Sequence, residues 1–293
     1  MRIRPFEYHA GNTLDDALVF LGRHGPETKI VAGGTDLVLL MKKKQVMPQQ
    51  VFSLLNLKEL DFVCEEGRTV RIGALTRHAD LAAHGLLKDD FSILCQASGL
   101  IGSWQIRNVG TIGGNLCNAS PSADSAPPLL ALDARVVIAE AGREKEIPLS
   151  GFFSGPGTTV LEPHQIMKEI VLERPRNRSA GCYHKLRRRK AVDLSLASVA
   201  LQAESDTDGR TLARVAIAMG GVAPTPIRAP EAEAVLIGRT YEDALKKIDD
   251  CVDAALAATR PIDDIRASAA YRRSVVASYV RQSAQKVLST LLD

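Results

Sequence analysis

The chain has 293 residues, of which 45% are hydrophobic and 24% are charged, and its formal net charge at pH 7 is +3. This length allows two or three domains, and the composition is ordinary for a globular protein. The small, dispersed charge does not favour nucleic acid or a membrane surface as a partner, and no apolar run reaches the length of a transmembrane helix.

The hydrophobic pattern predicts strands alternating with helices over the first 175 residues. Thr13 is a candidate N-cap for the first helix, and Gly22 and Gly25-Pro26 are its expected stop signals. Thr76 is a candidate N-cap for a later helix. The predicted strands are 6–9, 29–32, 51–54, 69–73, 135–139, 145–149 and 165–172, and the predicted helices are 14–21, 37–41, 76–82, 91–100 and 129–132.

The predicted strand 29–32 runs into a glycine turn, residues 33–36, before the predicted helix 37–41. Thr35 or Asp36 can cap that helix, and the free backbone N–H groups at a helix start form a ready anion site. The pattern is neither a Walker loop nor the Gly-x-Gly-x-x-Gly dinucleotide fingerprint. A purely structural turn is the alternative, and for an isolated Gly-Gly pair it is the more common one.

Residues 107–128 form a second candidate segment, which is rich in glycine and in short polar side chains. Gly110, Gly113 and Gly114 allow the backbone to take positive φ or to lie against a ligand. The hydroxyl and amide groups around them, followed by Asp124, suit an anionic, hydroxyl-rich ligand held mainly by backbone N–H groups. The alternative is a long polar surface loop.

The composition changes at residues 175–179, a polar stretch that we interpret as a domain boundary. The basic run 185–190 follows this stretch. It indicates a solvated face, or cations directed at a phosphate or a partner. The remaining predicted elements are strands 198–204 and 215–219 and helices 229–236, 241–258 and 269–292.

The cysteines and histidines form no metal-binding or catalytic pattern in the sequence. The five cysteines contain no Cys-x-x-Cys pair and are Cys64, Cys95, Cys117, Cys182 and Cys251. Their odd number and wide spacing argue against a disulfide framework, a zinc site or an iron–sulfur cluster. No acid–base dyad stands out, so we assign no catalytic residue and no metal ligand. Without a secretory signal pattern, the expected location is the cytoplasm.

Both glycine segments resemble the flavin-phosphate loops of one protein family. Residues 32–36, Ala-Gly-Gly-Thr-Asp, resemble its first loop. Residues 108–115, Asn-Val-Gly-Thr-Ile-Gly-Gly-Asn, resemble its second loop, which Pro-Ser-Ala-Asp at 121–124 continues. Residues 219–223 and 266–272 are also similar to stretches of this family.

The family is that of the FAD-binding medium subunits of molybdenum hydroxylases. It includes xanthine, carbon monoxide and nicotinate dehydrogenases and 4-hydroxybenzoyl-CoA reductases. The reductases carry an inserted cysteine-rich loop for an additional iron–sulfur cluster, and this sequence has no such insertion. The comparison therefore disfavours that branch.

The resemblance implies an α+β fold with a two-subdomain FAD-binding domain of the PCMH/vanillyl-alcohol-oxidase type. We expect this domain at residues 1–175, with subdomains at about 1–57 and 58–175 and FAD between them. A smaller α/β domain, similar to the C-terminal domain of CO dehydrogenase flavoproteins, is expected at residues 176–293. This domain should have an antiparallel sheet and a helical C-terminus.

The resemblance also implies which residues bind FAD. The two glycine loops would hold the pyrophosphate and the ribitol from two sides, and Ser120 and Asp124 would hold the adenosine ribose and neighbouring groups. Lys185 would reach FAD from the second domain, and Tyr183 would lie near the flavin ring. The complete predicted set is Ala32, Gly33, Gly34, Thr35, Asp36, Leu37, Asn108, Thr111, Ile112, Gly113, Gly114, Asn115, Ser120, Asp124, Tyr183 and Lys185.

Electron transfer, rather than substrate turnover, is the role that the resemblance implies for this chain. In the family the flavin takes electrons from a separate 2Fe–2S subunit and passes them to an external acceptor such as NAD, while a molybdopterin-containing large subunit oxidises the substrate. We expect a hetero-oligomer, a dimer of heterotrimers, without nucleic-acid binding or membrane insertion. The alternatives are a free-standing FAD-dependent oxidase or dehydrogenase and a non-catalytic nucleotide-binding module.

Overall fold

The computed structural model of the protein describes residues 3–189 and 192–292. Its fold is α+β, as predicted. Within the described residues the strands form a three-stranded, a five-stranded and a four-stranded sheet and a two-stranded hairpin. Of the helices in these parts of the chain, none is long and apolar enough to cross a bilayer.

A small parallel sheet and two helices form the N-terminal part. The elements are β1 (Glu7–Ala10), α1 (Leu14–His24), β2 (Thr28–Val31), α2 (Leu37–Lys42) and β3 (Gln50–Ser53). The strand order is β1-β3-β2, and both pairings are parallel. Because the carboxyl ends of parallel strands meet at one edge, β2 delivers the first glycine loop to that edge.

Helix α1 begins as predicted and ends at the second of the two predicted stop signals, Gly25-Pro26. Thr13 accepts a hydrogen bond from the backbone N–H of Asp16 in a complete capping box. The helix continues through Gly22 to His24, since one glycine inside a helix costs only about 1 kcal/mol. Its apolar face is buried in a hydrophobic core.

An antiparallel sheet with five helices forms the middle part, and its strand order is β4-β5-β10-β6-β7. The elements are β4 (Val63–Glu66), β5 (Thr69–Gly73), α3 (His78–Ala83), α4 (Ser92–Gly99), α5 (Trp104–Arg107), α6 (Ile112–Cys117), α7 (Ala126–Ala131), β6 (Arg135–Glu140), β7 (Arg143–Pro148), β8 (Phe153–Gly155), β9 (Thr158–Thr159) and β10 (Ile166–Glu173).

The middle part differs from the prediction at Thr76 and at β4, and helices α5 and α6 and strands β8 and β9 were not predicted. Thr76 does not cap α3, because its hydroxyl donates to the carbonyl oxygen of Phe62 at 2.9 Å and the helix starts at His78. Strand β4 was not predicted, since its Val-Cys-Glu-Glu sequence lacks an apolar alternation. It forms because it pairs with the edge of β5.

A four-stranded antiparallel sheet and four helices form the C-terminal part. The elements are β11 (Ser179–Leu186), β12 (Ala197–Ser205), β13 (Leu212–Gly220), β14 (Ile227–Arg228), α8 (Pro230–Leu236), α9 (Tyr241–Lys246), α10 (Ile248–Ala258) and α11 (Ala269–Leu292). One sheet face packs on α4 and α7, and α8 and α11 cover the other face. The predicted helix 241–258 is two helices, because the chain leaves helical geometry at Lys247 (φ −103°, ψ 7°).

Candidate functional site

The two glycine loops lie directly against each other. A Cβ atom added to Gly33 would stand 2.1 Å from the carbonyl oxygen of Val109 and 3.0 Å from Cα of Gly110. Any side chain at position 33 would therefore force the two backbones apart. The hydroxyl of Thr35 is 3.7 Å from the point where a Cβ atom on Gly110 would lie. The fold thus joins two segments that are far apart in the sequence.

The first loop carries backbone N–H groups that have no acceptor in the part of the chain that the structure describes. Among the residues that the structure describes, none accepts a hydrogen bond from the N–H groups of residues 33–37. Gly34 has φ +69°, in the left-handed region that glycine adopts readily. Asp36 occupies the N-cap position of α2, but its side chain makes no capping hydrogen bond, so the predicted cap is absent. An array of unpaired N–H donors of this kind suits the oxygens of a phosphate.

Most N–H groups of the second loop, in contrast, already donate to protein acceptors. The N–H of Ile112 donates to the carbonyl oxygen of Thr76 at 3.0 Å, and that of Gly113 donates to Ala74 at 2.9 Å. A Cβ atom on Gly113 would lie 2.7 Å from the same Ala74 oxygen. Glycine at 113 therefore serves the close packing of the loop on the β5–α3 connection.

Thr111 and Asn115 place polar side chains in the second loop. The hydroxyl of Thr111 caps α6 by accepting from the N–H of Gly114 at 3.1 Å. The Asn115 carbonyl oxygen Oδ1 accepts a hydrogen bond from the hydroxyl of Ser125 at 2.5 Å. This bond fixes the amide plane of Asn115 and leaves its NH₂ group to donate elsewhere.

The other predicted residues of the two loops differ in exposure. Ser120 is half-buried, and its hydroxyl accepts from the backbone N–H two residues on at 3.3 Å. Asn108 is exposed at the end of α5, whereas the side chain of Ile112 is buried in the core. Ala32 and Leu37 are half-buried at the two ends of the first loop.

Asp124, Tyr183 and Lys185 meet in one buried cluster. The ammonium of Lys185 lies 2.6 Å from one carboxylate oxygen of Asp124, and the phenol of Tyr183 donates to the other at 2.9 Å. Lys185 also donates to the carbonyl oxygen of Leu100 at 3.1 Å. The Lys185 and Asp124 side chains are only 1% and 8% exposed. The three side chains therefore join the segment before α7 to strand β11.

Two family models match the sequence over this architecture. The model for the FAD binding domain in molybdopterin dehydrogenase matches residues 4–175. The chain belongs to this family. The model for the CO dehydrogenase flavoprotein C-terminal domain matches residues 181–287. The predictions of an oxidoreductase subunit and of FAD as its cofactor are thereby confirmed.

Relatives in this flavoprotein family match along nearly the whole chain. The chain is 31% identical to the carbon monoxide dehydrogenase medium chain of Hydrogenophaga pseudoflava, over 95% of each chain. It is 34% identical to the glyceraldehyde dehydrogenase medium chain of Sulfolobus acidocaldarius, over 92% of this chain and 94% of that one. A solved structure of carbon monoxide dehydrogenase from Hydrogenophaga pseudoflava superimposes with a TM-score of 0.93 at 32% identity, covering 99% of both chains. The predicted fold class is confirmed.

The alternation of a β-strand explains how this flavoprotein brings Tyr183 and Lys185 to one carboxylate. Successive side chains of a strand point to opposite faces, so residues two apart share a face. Cys182 and His184 point to the other face, where the His184 ring stacks on Tyr279 of α11 at 5.0 Å between centroids. The face with Tyr183 and Lys185 packs on α4 and α7, and Asp124 lies directly before α7.

Burial sets the protonation of this cluster in the flavoprotein. Burial raises the pKa of Asp124, while the neighbouring ammonium of Lys185 acts in the opposite direction. Burial, together with the charge of Asp124, raises the pKa of Tyr183 well above its ordinary value. The phenol therefore remains a hydrogen-bond donor at neutral pH. A carboxylate held by two such donors is suited to fixing geometry.

Sequence reasoning missed Arg107, although it directly precedes the second loop of the flavoprotein. Its side chain is buried and donates to the carbonyl oxygen of Ile101 at 2.8 Å. The guanidinium lies 4.7 Å from the centroid of the exposed Trp104 ring. Its position beside the glycine motif was the available signal, but an arginine in a polar segment resembles a solvated charge.

Proposed function

We propose that this chain is the electron-transferring FAD subunit of a multi-subunit molybdenum hydroxylase. The observation that carries the proposal is the junction of the two glycine loops, where the unpaired N–H groups of residues 33–37 lie beside the second loop. Two phosphate charges can be stabilised there by backbone dipoles. The junction is a binding site for an anionic dinucleotide, which agrees with the FAD of the family.

Bound FAD would supply one- and two-electron redox chemistry, and the protein sets its position and environment. In our proposal the first loop, Ala32, Gly33, Gly34, Thr35, Asp36 and Leu37, holds the pyrophosphate. Asn108, Thr111, Ile112, Gly113, Gly114 and Asn115 shape the opposite wall, and Asn115 donates through its NH₂ group. Ser120 contacts the adenosine ribose.

The cluster of Asp124, Tyr183 and Lys185 has a second role in this proposal. The ion pair is nearly closed to solvent, so its main effect is to hold the second loop against the C-terminal sheet. Direct contact of Lys185 with FAD, and of Tyr183 with the flavin ring, stays a prediction from the resemblance. The same proposal places the domain boundary at residues 175 and 176.

The names of the relatives support the proposed partner subunits. Those relatives are named as medium chains or FAD-binding subunits of dehydrogenases. We propose that a 2Fe–2S subunit delivers electrons to FAD on this chain and that a molybdopterin-containing subunit oxidises the substrate. The assembly would be a dimer of heterotrimers in the cytoplasm, with NAD or another acceptor outside it.

Purification of the tagged chain with its partners tests this proposal. We expect one FAD per chain, together with molybdenum and iron from the co-purifying subunits. Substrate should reduce the flavin in the complete complex but not in the isolated chain, which dithionite should still reduce. Purified complex without flavin, or substrate turnover by the isolated chain, would contradict the proposal.

A further inference from the structure

His78 lies at the point where the two glycine loops meet, outside the set predicted from the sequence. Its backbone N–H donates to the carbonyl oxygen of Gly110 at 3.1 Å. Its ring packs on the same residue, because a Cβ atom on Gly110 would lie 3.4 Å from His78 Cδ2 and 3.7 Å from the hydroxyl of Thr35. One edge of the imidazole therefore faces Gly110 of the second loop, at the place where the Thr35 hydroxyl of the first loop also approaches.

The two ring nitrogens of His78 have different surroundings. Nδ1 is sealed from solvent and has no hydrogen-bond partner in the described parts of the chain. A proton on Nδ1 would be a buried donor without an acceptor, so the tautomer with its proton on Nε2 is favoured. Nε2 is bonded to Cδ2, the ring atom that meets Gly110. The N–H of the ring is thus at the edge beside the loop junction.

The ring is a neutral donor beside a fixed cation. Burial, to which the charge of Arg107 adds, lowers the pKa of His78 to about 4, so the ring is uncharged at pH 7. The side chain of His78 is buried, with the residue 2% exposed. A neutral N–H held in place in this way can donate to an anionic oxygen without rearrangement when the ligand arrives.

We propose that His78 is an FAD-binding residue whose Nε2–H donates to a pyrophosphate oxygen held by the N–H groups of residues 33–37. Thr35 connects the two halves of this geometry, because it belongs to the first loop and its hydroxyl, like the His78 ring, lies within 4 Å of the point where a Cβ atom on Gly110 would stand. The inference rests on the proposed FAD site, and it adds a side-chain donor to the backbone N–H groups of the first loop that hold the pyrophosphate.

A pair of amide substitutions separates the donor from the packing of the ring. The side-chain nitrogen of glutamine can occupy the position of Nε2, whereas that of asparagine reaches only the position of Nδ1. In titrations of the flavin-free full-length chain with FAD, we expect His78→Asn to raise the dissociation constant about 10- to 100-fold. His78→Gln should raise it about threefold or less. His84→Asn is the matched control, because His84 also has a buried, unpartnered Nδ1 but lies at the other end of α3.

Phosphorus NMR of bound FAD supplies a readout that packing alone would not change. We expect a pyrophosphate resonance to shift in His78→Asn and to remain near its wild-type position in His78→Gln and His84→Asn. Equal weakening by both His78 substitutions with unchanged phosphorus resonances would overturn the proposal, as would full affinity in His78→Asn. If His78→Asn does not fold, His78→Gln is compared with the wild type alone. FAD affinity and phosphorus resonances near the wild-type values support the proposal, and weaker binding with unchanged resonances overturns it. A wild-type chain that fails to bind FAD would instead contradict the proposed function.

Discussion

Lys185 and Asp124 form a buried ion pair between strand β11 and the segment before α7, with 2.6 Å between the ammonium nitrogen and a carboxylate oxygen. Lys185 lies near the carboxyl end of strand β11, and Asp124 follows the second glycine loop. The phenol of Tyr183 completes the contact from the same strand face. The pair thus couples the position of the second loop to the C-terminal sheet.

Replacing Lys185 with methionine should destabilise the protein by about 3–5 kcal/mol, because it leaves the Asp124 carboxylate buried with only Tyr183 as a donor. Urea denaturation at pH 7 measures this loss. The double variant Lys185→Met/Asp124→Asn should recover a large part of it, since no unpaired charge remains. Additive losses in the double variant would mean that the two side chains are not coupled.

Replacing Gly33 with alanine should weaken FAD binding more than about 10-fold, because its Cβ atom would displace Val109 and open the loop junction. Flavin content after purification and FAD titration measure the effect. Gly22→Ala is the control, since Gly22 lies in α1 with no atom within 4 Å of an added Cβ. That substitution should leave FAD binding unchanged and stabilise the protein by about 1 kcal/mol. Normal FAD affinity in Gly33→Ala would show that the close contact is not required.

Local patterns in the sequence predict most strands and helices of this fold, because those patterns report directly on one buried face. Thr13 is an example, since its cap requires only the three residues that follow it. The end of α1 was less predictable, because packing against the core stabilises this helix and allows it to continue through Gly22. The break at Lys247 is not visible in the sequence for a related reason: the apolar spacing continues across it, although the backbone leaves helical geometry there.

Motifs in the sequence identify the residues of the candidate site, but they do not predict the contacts between those residues. Nothing in the spacing of Asp124 and Lys185 shows that they pair, because the packing of α7 on the C-terminal sheet sets that distance. The second loop also looked like a set of free N–H donors. In the fold the N–H groups of Ile112 and Gly113 donate to Thr76 and Ala74, which lie far upstream in the chain, whereas the N–H groups of residues 33–37 have no acceptor within the described residues.

Replacing Asn115 with leucine should affect both the cofactor and the fold. It removes the NH₂ donor proposed for FAD and also leaves the buried hydroxyl of Ser125 without its acceptor. We expect weaker FAD retention and a loss of about 1–3 kcal/mol in stability, measured by FAD titration and thermal unfolding.

The double variant Asn115→Leu/Ser125→Ala separates these two effects. Removing the orphaned hydroxyl should restore most of the stability while FAD binding stays weak. Ser125→Ala alone should retain FAD. Recovery of FAD binding in the double variant would show that Asn115 acts through the fold and not through the cofactor.

Asp264, which lies just before α11, makes a pH-dependent contribution to the stability of the protein. Burial tends to raise its pKa, but hydrogen bonds from the Arg266 side chain, from the N–H groups of Arg266 and Ala267 and from Arg272 outweigh burial and hold the pKa well below its ordinary value. A carboxyl group whose folded-state pKa is lowered stabilises the protein above its unfolded-state pKa of about 3.9. That contribution is lost as the pH falls toward the folded-state pKa.

Asp264→Asn should therefore lower the urea midpoint by a similar amount at pH 7 and pH 5, equivalent to about 2 kcal/mol. The difference from the wild type should shrink as the pH falls below about 4, where the unfolded carboxyl becomes protonated. Asp263→Asn is a control at the neighbouring position, where the carboxylate accepts, within the described parts of the chain, only from the N–H of Ala269. A difference for Asp264→Asn that stays constant down to pH 3 would assign its effect to lost packing, since an uncharged contribution does not titrate.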